Sequence, residues 1–415
     1  MYSLKKIAKW LGAQCERHLP ISSFAIDSRE VENGSIFFAL KGEKVNGHQF
    51  LSEVARKGAF AAVVEREYSG ENFGLVLFFV DDVVFALQDV AKKALLERKT
   101  KVIGITGSIA KTTTKEFLYE ILKAKFRVQK SFGNKNSQRT LPLAILNSKG
   151  DEEFLILEMS MTEKGNIKNL VQMAPPKIVI LTPIVVCHAK YFQNVDEIAE
   201  AKMEIFTNAA EFAVIHERSA KFNAVAEGCI CEHVIYPQCL GFHSPFMESH
   251  MTENVSAAIE VGKYLGMQVE EMAIPAKRLK PYEHRFERKL MKGITFIDDA
   301  YNANATSMIA ALQNLPKPKI GKKTIAVLGS MLDLGKYSFV SHSEVAKEAL
   351  NYVDILYCIG EESIPMVDVF KKKEKRVQFF TCYDELKTAV HEIAEEGDVV
   401  LLKGSNFHKL WKVLN

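Results

Sequence analysis

The sequence predicts an α/β protein of three domains built largely on parallel sheets. Short β-branched runs alternate with helical patterns along most of the chain, as in parallel strands joined by crossover helices. At 415 residues the chain is also too long for a single hydrophobic core. We therefore place the domains at residues 1–97, 98–275 and 276–415.

The first domain is predicted to be a small α/β module. Helical spacing over residues 2–11 precedes a strand-rich stretch that two turn dipeptides interrupt, Asn33-Gly34 and Asn46-Gly47. A helix that is stopped by Gly58 is expected over residues 50–58, and a strand over 61–65. A second helix is expected to begin at Asp82 and to run to residue 97.

The second domain opens with KVIGITGSIAKTTTKE, residues 101–116, which has the ingredients of a phosphate-binding loop. A β-branched run is followed by small residues, a Lys-Thr pair and a helical pattern. Backbone N–H groups and a helix N-terminus can then converge on an anion, Lys111 can neutralise phosphate and the Thr112 hydroxyl can reach Mg²⁺. The candidate nucleotide-binding residues of the loop are Thr106, Gly107, Ser108, Ile109, Ala110, Lys111, Thr112 and Thr113.

The loop departs from the usual pattern G-x-x-x-x-G-K-[ST]. Gly104 or Gly107 could be the first glycine, and Ala110 replaces the glycine before the lysine. A loop position that needs a positive φ tolerates alanine poorly, at a cost of about 1 kcal/mol. The alternative is an ordinary strand-loop-helix turn, but Thr-Gly-Ser before Lys-Thr-Thr-Thr is unusual for one.

Further strands of the second domain are expected at residues 154–157, 178–181 and 213–215. Glu158 follows the first of these strands, at the edge where parallel sheets place ligand groups. Opposite a Lys-Thr phosphate loop, this carboxylate becomes a natural Mg²⁺ ligand. His188 and Lys202, taken alone, are interpreted as structural or surface residues.

The third domain is predicted to be a Rossmann-like, doubly wound sheet. Its expected strands are at residues 294–297, 324–328, 355–358, 377–380 and 399–402, and its expected helices at 306–314, 342–350, 363–370 and 383–393. Because no G-x-G-x-x-G opens the domain, a dinucleotide cofactor is not indicated.

Composition excludes several classes of protein. Apolar residues make up 47% and charged residues 25% of the chain, and a net charge of +3 gives no reason to expect a nucleic-acid partner. We expect no membrane span and no secretory signal, because no apolar run is long enough. Seven scattered cysteines favour reduced thiols and a cytoplasmic location.

A cysteine and histidine cluster lies within fifteen residues and raises the alternative of a zinc site. Its spacing does not match paired C-x₂₋₄-C ligands, so chance clustering is the preferred interpretation. The cluster consists of Cys229, Cys231, His233, Cys239 and His243.

Several stretches together resemble the Mur ligases, the ATP-dependent amide-forming enzymes of peptidoglycan precursor assembly. The resemblance covers nearly the whole chain in the right order. It is carried by IDSREVENGSIFFALKGEKVNGHQF (26–50), TGSIAKTTTKE (106–116), ILEMS (156–160), VCHAKYFQNVDEIAEAKMEIF (186–206), HRFE (284–287), IDDAYNANATSM (297–308), LGSMLDLG (328–335) and LLKGS (401–405).

The resemblance implies a three-domain architecture: a domain that holds a uridine nucleotide, a central phosphate-loop ATPase domain and a Rossmann-like third domain. GNKNSQRTLPLAIL, DDAYNANATSM and LGSMLDLG with His342 are most similar to the members that join D-alanyl-D-alanine to UDP-N-acetylmuramoyl-tripeptide. The family resemblance further implies that ATP and Mg²⁺ are cofactors and that a carboxylate is activated as an acyl phosphate. We expect a monomer.

The resemblance also implies a role for each motif residue. Lys111 holds the β- and γ-phosphates, Thr112 and Glu158 bind one Mg²⁺, and His188 with a carbamylated Lys202 binds a second. The other implied contacts are Asn254 with adenine, Arg285 and Asp299 with phosphate and ribose, Asn134 and Asn136 with the muramoyl peptide, Ser28, Arg29 and His48 with uridine diphosphate, and Tyr301, Asn302 and Asn304 in the interdomain cleft.

Two alternatives remain open at this point. One is a different amide ligase of the same superfamily, either another Mur ligase or a folylpolyglutamate synthetase, although the uridine-site stretch disfavours the folate enzyme. The other is a degenerate nucleotide-binding protein that has lost catalysis, an interpretation suggested by the replacement of the loop glycine by Ala110.

Overall fold

The computed structural model describes residues 2–42, 45–133, 135–187, 189–238 and 240–414. Within these residues the strands form three sheets, of four, six and six strands, in which all but one of the strand pairs are parallel. The predicted α/β class with three sheet-containing units is confirmed. The exact boundaries at residues 97/98 and 275/276 stay predictions.

The first sheet has the strand order β1-β2-β3-β4. The predicted start of the helix at Asp82 is confirmed, because this side chain accepts a hydrogen bond from Phe85 N at 2.8 Å and caps the helix. The elements are α1 (Leu4–Trp10), β1 (Phe24–Ala25), β2 (Ile36–Phe38), α2 (Leu51–Arg56), β3 (Ala61–Glu65), β4 (Val76–Val80) and α3 (Val83–Leu96).

The second sheet has the order β10-β9-β8-β5-β7-β6, with β5 in its middle. The carboxyl ends of β5, β7 and β8 therefore lie side by side, which is where the candidate site forms. The elements are β5 (Lys101–Thr106), α4 (Lys111–Leu122), β6 (Val128–Lys130), α5 (Leu141–Leu146), β7 (Phe154–Glu158), α6 (Asn166–Met173), β8 (Ile178–Leu181), α7 (Val195–Met203), β9 (Phe212–His216), α8 (Asn223–Gly228), β10 (Glu232–Tyr236), α9 (Ser249–Tyr264) and α10 (Val269–Lys277).

The third sheet has the order β11-β12-β16-β13-β14-β15, and only the edge strand β11 runs antiparallel to its neighbour. Five strands and four helices match the predicted ones closely. The elements are β11 (Glu287–Met291), β12 (Ile294–Asp298), α11 (Ala305–Gln313), β13 (Thr324–Gly329), α12 (Ser338–Ala349), β14 (Ile355–Ile359), α13 (Ile364–Lys372), β15 (Arg376–Phe380), α14 (Tyr383–Ile393) and β16 (Val399–Lys403).

The first two units share one hydrophobic core. Buried side chains from Leu4 to Val225 form a single cluster, in which α3 of the first unit packs against α5 and α6 of the second. The third unit has its own cores on the two faces of its sheet. It reaches the second unit through loops, and the cavity described below lies between them.

Candidate active site

The loop between β5 and α4 has the backbone of a phosphate-binding loop. Gly107 has φ +147°, and a Cβ there would lie 1.9 Å from the Thr182 hydroxyl oxygen. Only glycine fits this position. The loop ends at Lys111, where α4 begins, so the first N–H groups of the helix have no partner within the helix and face the loop.

Ala110, the residue before Lys111, adopts the left-handed backbone conformation that is expected at this position of the loop. Its φ is +68°, and it forms the N-cap of α4 without a side-chain hydrogen bond. Alanine therefore occupies a left-handed position that glycine would adopt without strain.

Two lysines converge on the loop, the half-buried Lys111 and the buried Lys202. Lys111 Nζ and Lys202 Nζ each lie 2.8 Å from the carbonyl oxygen of Gly107, and Lys111 also donates to Ser108 O at 3.2 Å. Burial lowers the pKa of both ammonium groups, and it lowers that of Lys202 to about 7, with a further contribution from the nearby Lys111 charge. Lys111 brings a positive charge to this carbonyl, whereas Lys202 is only partly protonated near neutral pH.

A carboxylate faces the start of α4. Glu158, the last residue of β7, is 2% exposed, and its Oε2 accepts a hydrogen bond from the Thr112 hydroxyl at 2.9 Å. Its Oε1 accepts one from Asn136 Nδ2 at 2.8 Å. A hydroxyl and a carboxylate in contact form a pair of hard oxygen donors, which fits Mg²⁺.

The third unit adds a cation from the other side. Arg285 Nη2 donates to the Thr112 hydroxyl at 3.3 Å, and its guanidinium lies 4.2 Å from the centre of the Tyr301 ring. Deeper in this unit, Lys403 Nζ donates to Asp299 Oδ2 at 2.6 Å and to Asn302 O at 3.1 Å. This ion pair fixes the turn that carries Asp299 and Tyr301.

A cavity of about 420 Å³ lies between the second and third units, a volume typical of small-molecule sites. Most of the candidate residues line it. They are Ser108, Ile109, Ala110, Lys111, Thr112, Thr113, Asn136, Glu158, Asn254, Arg285, Asp299, Tyr301, Asn302 and Asn304.

Some candidates do not line this cavity. Thr106 ends β5 and Gly107 follows it, and Lys202 contacts the loop through the carbonyl oxygen of Gly107. Asn304 does line it, but its side chain also caps α11 by accepting from Ser307 N at 2.9 Å. His188 and Asn134 lie outside the described residues.

The three uridine-site candidates belong to the first unit and do not line the cavity. The Ser28 hydroxyl donates to Glu53 Oε2 at 3.3 Å, Arg29 pairs with Asp27, and His48 Nε2 accepts from Glu65 N at 3.1 Å. His48 also stacks on Tyr68. Their contact with uridine diphosphate stays a prediction.

Sequence reasoning missed three residues of the site. Lys115 is fully buried next to Glu158, Lys403 holds Asp299, and His250 lines the cavity one helical turn before Asn254 on α9. Lys115 and Lys403 stand inside the quoted motifs TTTKE and LLKGS, so an unexplained lysine in a motif was the available signal. For His250 the signal was its helical spacing from Asn254.

Three buried polar atoms on the cavity wall have no hydrogen-bond partner among the described residues. They are Arg285 Nε, His250 Nδ1 and Ser405 Oγ. Since an unpaired buried polar group costs free energy, a polar ligand in the cavity would satisfy them. Together with the cations around the loop, they fit a nucleotide.

A second group of possible metal-binding side chains lies in the third unit. Within the part of the chain that the structure describes, it is the one such group and consists of His284, Glu287 and Asp298. Lys289 Nζ lies 2.9 Å from Asp298 Oδ2 and 3.0 Å from Glu287 Oε2, so an ammonium already balances these carboxylates. The cysteine cluster is not such a group, although Cys239 lies outside the described residues; Cys229 and Cys231 lie 4.0 Å apart.

Comparison with known families assigns all three units. The chain matches the description "Mur ligase family, catalytic domain" over residues 20–123, "Mur ligase middle domain" over 105–237 and "Mur ligase, glutamate ligase domain" over 284–406. It is also 32% identical to the UDP-N-acetylmuramoyl-tripeptide--D-alanyl-D-alanine ligase of Bacillus subtilis, over 95% of this chain and 92% of the relative. The chain belongs to the Mur ligase family.

Other relatives agree with this family. This Mur ligase is 29% identical to the Borreliella burgdorferi protein of the same name, over 99% of the chain and 97% of the relative. A solved structure, the MurF ligase of Thermotoga maritima in complex with ADP, aligns with a TM-score of 0.79 at 28% identity and covers 94% and 96% of the two chains. The expected family resemblance is confirmed.

More distant structures share the fold. MurF from Acinetobacter baumannii aligns with a TM-score of 0.86 at 21% identity, covering 100% of this Mur ligase and 98% of that chain. Within its described residues, this Mur ligase has no helix with the length and apolar character that a membrane crossing requires.

Proposed function

We propose that this chain is an ATP-dependent ligase that joins D-alanyl-D-alanine to a UDP-N-acetylmuramoyl-tripeptide. The carrying observation is the cavity, in which the phosphate loop with Lys111, Thr112 and Glu158 faces Arg285 and Asp299 of the third unit. The names of the full-length relatives in Bacillus and Borreliella support the choice of substrates. The ADP in the Thermotoga relative supports nucleotide binding in the cavity.

Amide formation from a carboxylate requires a better leaving group. A carboxylate oxygen of the tripeptide attacks the γ-phosphorus of ATP, the bond to the β-phosphate bridging oxygen breaks, and ADP leaves. The amine of D-alanyl-D-alanine then attacks the acyl carbon, the carbon–oxygen bond to phosphate breaks, and the amine loses a proton. The task of the protein is to position the reactants and to neutralise charge.

The cations of this chain are arranged for that task. Lys111 lies in the loop, and Arg285 approaches Thr112 from the opposite wall at 3.3 Å. Each can therefore balance charge on the transferring group from its own side. Asn254, within reach of the Thr114 hydroxyl at 3.4 Å, is proposed to contact the adenine.

Mg²⁺ is part of the proposal. Thr112 and Glu158 would hold one ion, and His188 with a carbamylated Lys202 a second. Such ions would balance phosphate charge. Lys202 suits the modification, because burial lowers its pKa to about 7, so that a large fraction of the side chain is the neutral amine near pH 7, the form that reacts with carbon dioxide.

The remaining parts of the proposal concern the surroundings of the reaction. The first unit would bind uridine diphosphate through Ser28, Arg29 and His48, and Asn134 and Asn136 would meet the muramoyl peptide. We further propose that the enzyme acts as a monomer in the cytoplasm, without a nucleic-acid partner.

The test is a ligation assay with a panel of amine donors. ADP release by the purified protein with ATP, Mg²⁺ and UDP-N-acetylmuramoyl-tripeptide should require D-alanyl-D-alanine. Meso-diaminopimelate, L-lysine or glutamate should not replace it. Turnover with one of these donors instead would favour another ligase of the superfamily.

The same assay distinguishes a degenerate nucleotide-binding protein. We expect turnover by the native chain as well as by Ala110→Gly. No turnover by the native chain together with recovery by Ala110→Gly would favour degeneracy.

A further inference from the structure

Lys115 is a buried lysine for which the proposed mechanism has no use. It follows Lys111 by one turn of α4, and its side chain is 0% exposed. Its Nζ donates to Gly133 O at 2.6 Å and lies 3.4 Å from Glu116 Oε1 and 4.0 Å from Glu158 Oε2. An ammonium in such a place needs these partners, because burial of an unpaired charge is very costly.

The Gly133 carbonyl belongs to the segment 131–136, which follows β6. We call the described residues of this segment, 131–133 and 135–136, the acceptor segment, because the proposed function assigns Asn134 and Asn136 to the muramoyl peptide. Two further contacts join it to Glu158: the Ser131 hydroxyl accepts from Glu158 N at 3.3 Å, and Asn136 Nδ2 donates to Glu158 Oε1 at 2.8 Å. The segment is therefore held at its start, near its middle and at its end.

The charges around Lys115 assign it to this segment. Glu116 already pairs with Lys130, whose ammonium lies over the Tyr119 ring. Gly133 O is the closest acceptor of Lys115, and Glu158 is the nearby carboxylate that also contacts Thr112. The lysine thus connects the helix that begins at the phosphate loop with both Glu158 and the acceptor segment.

We propose that Lys115 is a positioning residue that holds the acceptor segment against Glu158 and so orders the acceptor side of the site. This inference rests on the proposed function for the identity of the acceptor. The contact that holds the segment is present in the free protein. It acts through Gly133 and Glu158, and Lys115 is not a catalytic residue.

The test compares Lys115→Met with Lys123→Met. Methionine keeps much of the side-chain volume but removes the donor and the charge. Lys123 is a matched control, because it caps the same helix, is 45% exposed and pairs with Glu120 on the surface. Amide hydrogen exchange is measured on both ligand-free proteins, followed by steady-state kinetics.

In Lys115→Met, exchange should be about tenfold faster in peptides that cover residues 131–136, the loss expected when a hydrogen bond from a charged group is removed. The KM for the UDP-linked tripeptide should rise by about tenfold, with the KM for ATP changed by less than about threefold. Lys123→Met should match the native protein in all three measurements. If Lys115→Met does not fold, Lys115→Gln, which keeps a neutral donor, is measured in the same way, with a smaller increase expected.

Unchanged exchange over residues 131–136 in a folded variant would overturn the proposal. An equal rise of both KM values would also overturn it, because that result would mean a general loss of site structure. The exchange measurement needs no substrate, so it still decides the matter if the proposed ligation itself is not observed.

Discussion

At the scale of single residues, two positions of the phosphate loop have backbone conformations that favour glycine. Only glycine fits at the first, Gly107, whereas the second is occupied by an alanine, Ala110. Gly107 lies against Thr182, so any side chain there would collide with it. Ala110 lies on the cavity wall with a positive φ of 68°, so the cost of its side chain is backbone strain.

Ala110→Gly should stabilise the protein by about 0.5–1 kcal/mol, because glycine adopts a positive φ without the penalty that alanine has. The free energy of unfolding, measured with chemical denaturant, provides the check. Equal or lower stability of the variant would show that Ala110 is not strained.

Lys202 should become carbamylated in the free protein. With ¹³C-labelled bicarbonate, a protein-bound carbamate signal is expected in the NMR spectrum and should be missing from Lys202→Met. Because the pKa of Lys202 is about 7, protonation of the amine should weaken the signal as the pH falls below that value. A signal that is the same in Lys202→Met, or none at alkaline pH, would contradict the assignment.

Several site residues could be predicted from the sequence, because each stands next to a recognisable local pattern of strand, loop or helix. Lys111 and Thr112 follow a strand and a small-residue loop, and Glu158 ends a strand of apolar residues. Lys115, Lys403 and His250 were not found, because their importance comes from burial next to residues far away in the chain. Lys403 pairs with Asp299, which precedes it by about a hundred positions.

At the scale of elements, the same distinction explains which strands were predicted. Central strands such as β5, β8 and β13 are buried on both faces and appear as continuous apolar runs. The strands β6, β10 and β11 were not predicted, and all three lie at the edges of their sheets. β11, for example, alternates between half-buried and exposed residues, so its sequence ERKLM has no apolar run. The edge strand β4 was not predicted either, although its sequence VLFFV is a continuous apolar run.

The loop after β13 is held by a buried histidine on α12. His342 Nε2 accepts from Met331 N at 3.0 Å, and its Nδ1 donates to Ser338 O at 2.7 Å, which requires the neutral ring. Burial lowers its pKa from the ordinary 6.5, although Ser338 and Glu362 oppose the shift. This bond holds a loop that reaches the cavity through Leu332, Asp333 and Leu334.

Stability should therefore depend on this histidine in weakly acidic solution. The unfolded chain binds a proton near pH 6.5 and the folded chain only at lower pH, so the contribution is complete above that value and is lost as the pH falls toward the folded pKa. His342→Gln should reduce the pH dependence of the free energy of unfolding between about pH 5 and 7. An identical pH dependence in the variant would count against this role.

At the scale of the whole molecule, the first two units form one body. Besides the shared core, Arg98 donates to Glu152 Oε1 at 3.3 Å, to Ser148 Oγ at 2.6 Å and to the Tyr2 hydroxyl. Both members of this ion pair are almost fully buried, with 6% and 1% side-chain exposure. Three separated parts of the chain are thus fixed at one point.

Glu152→Ala should destabilise both units together by about 3–5 kcal/mol, because it leaves the buried Arg98 without its counter-charge. Amide exchange should become faster in peptides from residues 1–97 as well as 98–275, with the third unit little affected. Glu153→Ala is the control, since this neighbour is 42% exposed. An effect confined to one of the two units would show that they do not unfold as one body.

The central claim is that a nucleotide binds between the second and third units, gripped by the loop that carries Lys111. Calorimetric titration of ATP with Mg²⁺ into the folded protein tests it most directly, with Lys111→Ala and the surface control Lys123→Ala measured in parallel. The account predicts one site per chain, at least about tenfold weaker binding in Lys111→Ala and unchanged binding in the control. No uptake of nucleotide by the native protein, or equal affinity in Lys111→Ala, would contradict it.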